Sequence, residues 1–351
     1  LFDIKTHLKT LSETHAVSGH EAPVQAVLRD AWAGIVDETD QDGLGSFIGI
    51  KRATRPNPKG RKIMLAAHMD EIGLMVRDIV DGFLLVYRVA GMDNRVLLAK
   101  PVIVHGKRPI KGVVAATPPH LLDEAKSNIY PTFEQLVVDV GLPHDEVTRL
   151  VRIGDFITPD VELIELQGGL LVGKAFDDRA CVTAMTACLH YLQNAQHSWD
   201  VYAVATIQEE NGLYGAQTSA QRLNPDLAIA LDVGFATQSG VPIESQLELG
   251  GGASIALGNN IHPKLFDALV ACAKKNEIKY QVEPIVAHTG TDAWAIQVAR
   301  EGIPTALLSL PLRNMHSQNE TCDPRDIDRM ARLLAQFIVT LDETFIENLA
   351  V

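Results

Sequence analysis

The sequence predicts an α/β protein: a central mixed sheet flanked by helices, with a small β-barrel-like domain inserted into it. Three observations predict this. Apolar, β-branched runs alternate with stretches of helical period near both ends of the chain. Between residues 72 and 166, short strands follow one another with turn signals and no long helical pattern. Several of the outer strands run directly into His, Asp or Glu. In an open α/β sheet that position is the crevice where ligands bind. The α/β domain is therefore read as residues 1–71 and 167–351, and the inserted β domain as residues 72–166. A chain of 351 residues is long enough for two cores.

Ile4, Leu8 and Leu11 have helical spacing. Ser18 and Glu21 form a candidate capping box for a second helix carrying Val24, Leu28, Trp32 and Ile35. Pro23 is tolerable only near that helix's start. Residues 47–50 and 62–67 read as strands, the second running into His68-Met-Asp70. In the insert, residues 72–76, 83–87, 101–105, 110–115, 136–140 and 155–158 read as short strands. The α/β texture resumes with a strand ending near Gly173, then a helix opened by Asp177 and Asp178 and running to about Leu192. Residues 201–207 form a buried strand that gives way to Glu209-Glu210 and a Gly-punctuated turn. A helix near 215–223, a strand at 227–231 ending in Asp232 and a strand at 253–257 follow. Next come a helical stripe from Leu265 to Ala273 and a strand near 280–282. His288-Thr-Gly-Thr-Asp292 then precedes a helix running through Arg300, and a strand spans 305–310. One last helix carries Ile327, Met330, Leu334, Phe337, Leu341 and Phe345.

Composition narrows the function. The chain is 46% hydrophobic and 21% charged, which suits a globular protein. A net charge of -13 without long basic blocks argues against nucleic acid or an anionic membrane as the partner. No apolar run approaches the roughly 20 residues of a membrane helix. The four cysteines, Cys181, Cys188, Cys272 and Cys322, form no CxxC pair. With no leader-like pattern in the first residues, a reducing cytoplasm is expected.

The candidate chemistry lies after the strands. An arbitrary Glu-Glu is usually a solvated surface pair, a lone His after a strand is usually a polar cap, and acids opening a helix are usually caps. Their repetition carries the weight. His68, Glu209, Glu210, Asp232 and His316 all follow apolar strands, and Asp177 opens a helix after another. If those strands share a sheet, two imidazoles and several carboxylates converge on one edge, a set suited to zinc, cobalt or manganese. Asp70, two residues past His68, stands where a carboxylate can hold the imidazole tautomer. A glycosidase would need only two carboxylates and no histidine.

Six motifs, in order, resemble those of the tetrahedral (TET) aminopeptidase family of dinuclear metallopeptidases, some of which carry endoglucanase names. They are residues 67–73 (AHMDEIG), 173–179 (GKAFDDR), 207–216 (IQEENGLYGA), 231–234 (LDVG), 290–293 (GTDA) and 315–317 (MHS). The resemblance implies a metallopeptidase fold and an aminopeptidase acting on peptides with a free N-terminus. It implies two divalent metal ions, zinc or cobalt first and manganese next, with Asp177 bridging them. His68 and Asp232 would complete one site, Glu210 and His316 the other. Glu209 would be the general base for metal-activated water, and Asp70 would orient His68. It also implies a cis bond between Asp177 and Asp178, dimerisation through the inserted β domain, and a homo-oligomer, a dodecamer built from dimers.

The chain departs from the family pattern at Asn211, Tyr214 and Thr289, which leaves the metal set intact. With Phe235, these are read as candidate walls of the substrate pocket, suited to a neutral or apolar N-terminal residue. Gly91-Met-Asp-Asn-Arg95 mimics residues 175–179, but a strand-like run follows it, so Asp93 is not taken as the bridge. The alternative functions are a metal-dependent deacylase or carboxypeptidase, in which Arg313 would hold a substrate carboxylate, and a non-catalytic metal-binding assembly protein.

Overall fold

The computed structural model describes residues 2–122 and 129–349. Eight strands form one mixed sheet. Their order is Glu38–Gln41, Phe47–Lys51, Asp200–Thr206, Lys62–His68, Leu227–Phe235, Thr305–Leu312, Ser254–Gly258 and Gln281–Ile285. The four central strands, from Asp200–Thr206 to Thr305–Leu312, are mutually parallel. They are buried almost throughout, as strands covered by helices on both faces must be.

One face is covered by the helices Ile4–Glu13, Ala22–Trp32, Phe176–Leu192, Pro263–Lys275 and Pro324–Thr340, packed on Leu65, Leu231 and Leu308. The other face is covered by Tyr214–Leu223 and Asp292–Gln297, packed on Met64, Val204 and Leu307. Parallel strands in register bring their carboxyl ends to one edge: Thr206 lies opposite His68, and Asp232 opposite Ser309.

A closed barrel accounts for the insert, with strand order Gly73–Val80, Phe83–Val89, Val137–Asp139, Pro109–Ala115, Pro101–His105 and Phe156–Pro159. Its interior is a separate core around Leu74, Val86, Val104 and Ile157. The barrel also carries a helix, His144–Leu150, that the periodicity did not show. Seven residues that bury only Val147 are too short to print a helical stripe.

Other expectations are corrected. Ser18 and Glu21 make no capping box. The Ser18 hydroxyl instead donates to Asp70, and Glu21 Oε1 accepts from the Gly19 and Gln208 amides at 2.7 and 3.1 Å. A buried ionised acceptor outcompetes a helix amide for the hydroxyl. Asp177 and Asp178 are not caps either: both have non-helical backbone angles, and the helix has no side-chain cap. The strand before them, Leu171–Gly173, lies in a separate sheet with Ile164–Glu165 and Glu320–Cys322. The helix expected to reach Arg300 stops at Gln297. The last helix is two, broken after Thr340, because Asp342 turns back to accept from the Thr344 amide at 2.9 Å before Phe345–Leu349 begins. All four cysteines are free and buried.

A buried ionic network ties the sheet to the start of the barrel. Glu71, next to Asp70, accepts Lys174 Nζ at 2.9 and 2.7 Å and the Ala16 amide at 2.9 Å. Arg179 Nη2 lies 3.4 Å from the same carboxylate. Burial pushes the Lys174 ammonium down to about 8, against the pull of Glu71. Removing one partner strands the other, so Lys174→Met should destabilise the protein by about 3 kcal/mol in urea unfolding. Adding Glu71→Gln should deepen that loss, because it also takes the carboxylate from buried Arg179.

Candidate metal centre

Five segments deliver the candidate residues. His68 closes its strand, and Asp232 lies inside a strand that continues to Phe235. Glu209 and Glu210 open a single helical turn, Glu209–Gly212, three residues past Thr206. Asp177 descends from the helix that crosses the sheet, and His316 sits in the loop after Leu312. Three non-glycine residues with left-handed backbone set these approaches: Ala175 at φ 54°, Gln208 at φ 52° and His316 at φ 59°. Such conformations cost about 1–3 kcal/mol each and collect where a site needs them. The Asp177–Asp178 peptide is cis.

The side chains form two groups sharing one member. His68, Asp177 and Asp232 offer ligand atoms that lie within 4.8 Å of one another, as do Asp177, Glu210 and His316. Asp177 divides its oxygens between them, Oδ1 lying 3.1 Å from His68 Nε2 and Oδ2 3.3 Å from His316 Nε2. His316 Nε2 is 3.5 Å from Glu210 Oε1. Glu209 belongs to neither group, and its Oε2 stands 3.8 Å from His68 Nε2. Asp70, fully buried, faces His68 Nδ1 at 3.4 Å. It also accepts the Glu209 and Glu210 amides at 3.1 and 3.3 Å, so one carboxylate aligns both sides of the crevice.

The electrostatics suit cations. Burial, then the charge of Asp177, pushes Asp232 well above the carboxylate range and Glu210 up to about 8. Burial also lifts Glu209, with Asp232 and Asp292 adding to it against the pull of His68. Burial alone would raise Asp177 too, yet its bonds to His316 and His68 hold it below the usual range. His316 is raised to about 9, chiefly by Asp177. Like charges crowded this closely need protons or cations between them. Two imidazoles with carboxylates are the donors of borderline-hard divalent ions, so the residues present fit two of them.

Three supporting residues escaped the sequence reading. Glu320 is buried and accepts the Asp177 amide at 3.1 Å and the His316 amide at 2.9 Å, linking both groups. Asp178 Oδ2 accepts the His68 amide at 3.2 Å. Asp292 accepts the Thr206 hydroxyl at 2.6 Å, and burial raises it to about 6. Glu320 sits in a three-residue strand with no periodicity to mark it; Asp178 and Asp292 were visible only as members of motifs. Of the four candidate pocket residues, Asn211, Tyr214 and Phe235 are exposed and Thr289 is half-buried.

Asp93 lies outside both groups and pairs with Arg95, and a short 3-10 turn, Asn94–Val96, follows it rather than a strand. Its loop is nonetheless part of the setting. A Cβ added at Gly91 would lie 2.3 Å from His316 Nδ1, so only glycine lets the barrel's loop pass beside this imidazole. Gly91→Ala should displace His316. Metal titration should then show one of two sites weakened, with the other and the melting temperature little changed.

A parallel-centred sheet with imidazoles and carboxylates gathered at its strand ends, and a barrel inserted beside them, is an arrangement able to hold divalent metal ions. The chain belongs to the M42 glutamyl aminopeptidase family, whose profile matches residues 45–333, and it is a peptide hydrolase. It is 37% identical over 349 residues to the lysyl aminopeptidase of Pyrococcus furiosus, covering 96% of this chain and 98% of that one. A TET aminopeptidase from the marine sediment archaeon Thaumarchaeota archaeon SCGC AB-539-E09 superposes with a TM-score of 0.92 at 29% identity, covering 99% of both chains. The Pyrococcus horikoshii TET1 peptidase, which can assemble into a tetrahedron or a large octahedral shell, superposes at 0.86 with 28% identity, over 97% of this chain and all of that one.

Proposed function

We propose that this aminopeptidase uses two divalent metal ions, zinc or cobalt first and manganese next, to remove N-terminal residues from peptides. The observation that carries the reading is the division of Asp177 between two ligand groups. Asp177 would bridge the ions. His68 and Asp232 would complete one site, and Glu210 and His316 the other. Three ligand carboxylates against two dications leave positive charge at the crevice, which favours an oxyanion there. When bound, the ions would polarise the scissile carbonyl and bring the pKa of water near neutrality.

The protein's own groups do the rest. Glu209 accepts the proton of the attacking water and returns it to the leaving amine. Its position beside His68 but outside both groups supports this role. Asp70 is a positioning residue: it holds the His68 ring and the two amides of the Glu209 turn. The free α-amine of the peptide would dock beside the ions, making the enzyme an exopeptidase. In the carboxypeptidase reading Arg313 would hold a substrate carboxylate, but its Nε is committed to the Thr237 carbonyl at 2.9 Å.

The insert would make the first contact between subunits, as a dimerisation domain spanning residues 72–166. Its first hairpin exposes Met75, Val80, Phe83 and Tyr87, an apolar surface for a second copy. Such dimers would assemble into a dodecamer that works on peptides in the cytoplasm. No helix among the described residues is long and apolar enough to cross a membrane. The family and the relative bear glutamyl and lysyl names, so membership by itself leaves the preferred side chain open.

The test is hydrolysis of aminoacyl-anilides and their N-acetylated counterparts by metal-stripped protein, then with zinc, cobalt or manganese restored. Metal-dependent cleavage of free-amine substrates alone is expected. Cleavage of the acetylated series would move the protein to the deacylase reading, and full activity without metal would remove the ions from the mechanism.

A further inference from the structure

Accepting the aminopeptidase reading, we propose that Glu21 is a positioning residue for the reaction: it fixes the backbone turn that aims Glu209. The turn is a demanding one. It opens with Gln208 in left-handed backbone at φ 52°, and no side chain of its own caps it. A glutamine holds that conformation only where its surroundings impose it. The first amides of a helical turn also have no partner within it. Here two distant carboxylates take three consecutive ones. Glu21 Oε1 accepts the Gln208 amide at 3.1 Å, and Asp70 accepts the Glu209 and Glu210 amides at 3.1 and 3.3 Å. Glu209 is therefore held along the backbone from both sides: Asp70 takes its own amide and the next, Glu21 the one before.

Glu21 comes from an anchored loop. Gly19, at φ 86°, turns the chain so that its own amide meets the same Oε1 at 2.7 Å. The Ser18 hydroxyl donates to Asp70, so residues 18–21 support both carboxylates that hold the turn. The loop is fixed in its turn to the sheet and to the barrel. The Ala16 carbonyl accepts the Glu71 amide at 3.0 Å, Val17 pairs with Glu71, and the His20 ring stacks on Phe156 with centroids 4.4 Å apart.

An acid is a costly choice at this place. Glu21 is 4% exposed and does not cap the helix that follows it. Burial pushes it up to about 7 against its amide bonds, and Asp70 adds a like charge. An apolar side chain would relieve both costs and give up the two amides. The consequence of that loss is kinetic, because a reacting group misplaced by about 1 Å can cost about 100-fold. Glu21 belongs to neither ligand group, and Glu210, the ligand in the same turn, keeps its bond to Asp70. Losing Glu21 therefore disturbs the aim of Glu209 more than the hold on the ions.

The experiment measures kcat and KM of the metal-loaded enzyme on a free-amine aminoacyl-anilide, with metal content and melting temperature. It compares wild type, Glu21→Met and Glu21→Gln, each alone and combined with Glu209→Gln. Methionine fills the space without offering a carboxylate oxygen, whereas glutamine keeps an oxygen for both amides. Glu21→Met should lower kcat by about 10–100-fold with KM within about threefold and both ions retained. Glu21→Gln should restore most of that loss. In the Glu209→Gln background Glu21→Met should change kcat by less than about threefold, because the base that it misaims is already gone. A role confined to packing would act equally in both backgrounds. Should Glu21→Met not fold, Glu21→Asp, which keeps the charge but withdraws the oxygens by one methylene, takes its place. Equal effects in the two backgrounds, an unchanged kcat, or loss of an ion together with the activity would overturn the proposal and leave the aminopeptidase reading standing. If wild type cleaves no free-amine substrate with any metal, that reading fails and takes this one with it.

Discussion

Glu209→Gln should keep the fold and the metal content and lose about 10²–10⁴ in kcat, the usual contribution of a positioned general base. The substitution is nearly isosteric, and the side chain lies outside both ligand groups. It also removes a buried carboxylate that burial and Asp232 push upward against the pull of His68, so the folded state gives up little net favourable charge. Stopped-assay kcat, metal content by elemental analysis and the melting temperature should therefore separate cleanly: only the first should fall. A variant with two ions and near-wild-type kcat would show that the proton is carried by another group. Loss of one ion with the activity would make Glu209 a ligand instead.

Asp177→Ala should abolish both metal sites together. The two groups overlap only at this residue, and each of its oxygens faces a different histidine. Wild type should gain stability from added metal as RT ln(1 + [M]/Kd), about 2.7 kcal/mol at a concentration one hundred times Kd. Asp177→Ala should gain almost none, and its activity should fall to background. Without metal the variant should melt below wild type, because Asp177 is the favourably paired carboxylate of the cluster, held ionised by His316 and His68. Calorimetric titration and metal-dependent melting test this. Binding of one ion with undiminished affinity would show that the two groups are independent.

The periodicity of the chain reveals most of the architecture. The strands 47–50, 62–67, 201–207 and 305–310 appear within a residue or two of their observed limits, because strands buried on both faces read as continuous apolar runs. The barrel is legible as a change of texture, since six short strands without helices can bury a core only by closing on themselves. The helix His144–Leu150 is not legible, nor is the break after Thr340, where one Asp side chain outweighs an uninterrupted stripe.

The site divides in the same way. His68, Asp232 and the Glu209 turn could be placed from the sequence because a parallel sheet aligns its carboxyl ends, and alignment follows from strand direction alone. Asp177 and His316 could be nominated as residues that follow strands, but not placed. One enters from a helix fed by a separate sheet, the other from a loop, and no period links either to the central strands. Glu320 had no signal at all, and Gly91 appeared only in the stretch that mimics residues 175–179. Each acts through a close approach to a residue far away in the chain: Glu320 to the Asp177 amide and Gly91 to the His316 ring. Local sequence records which elements form, because propensity and burial pattern act over a few residues. Which distant side chains share a lone pair or a few ångströms of space is settled only when those elements pack.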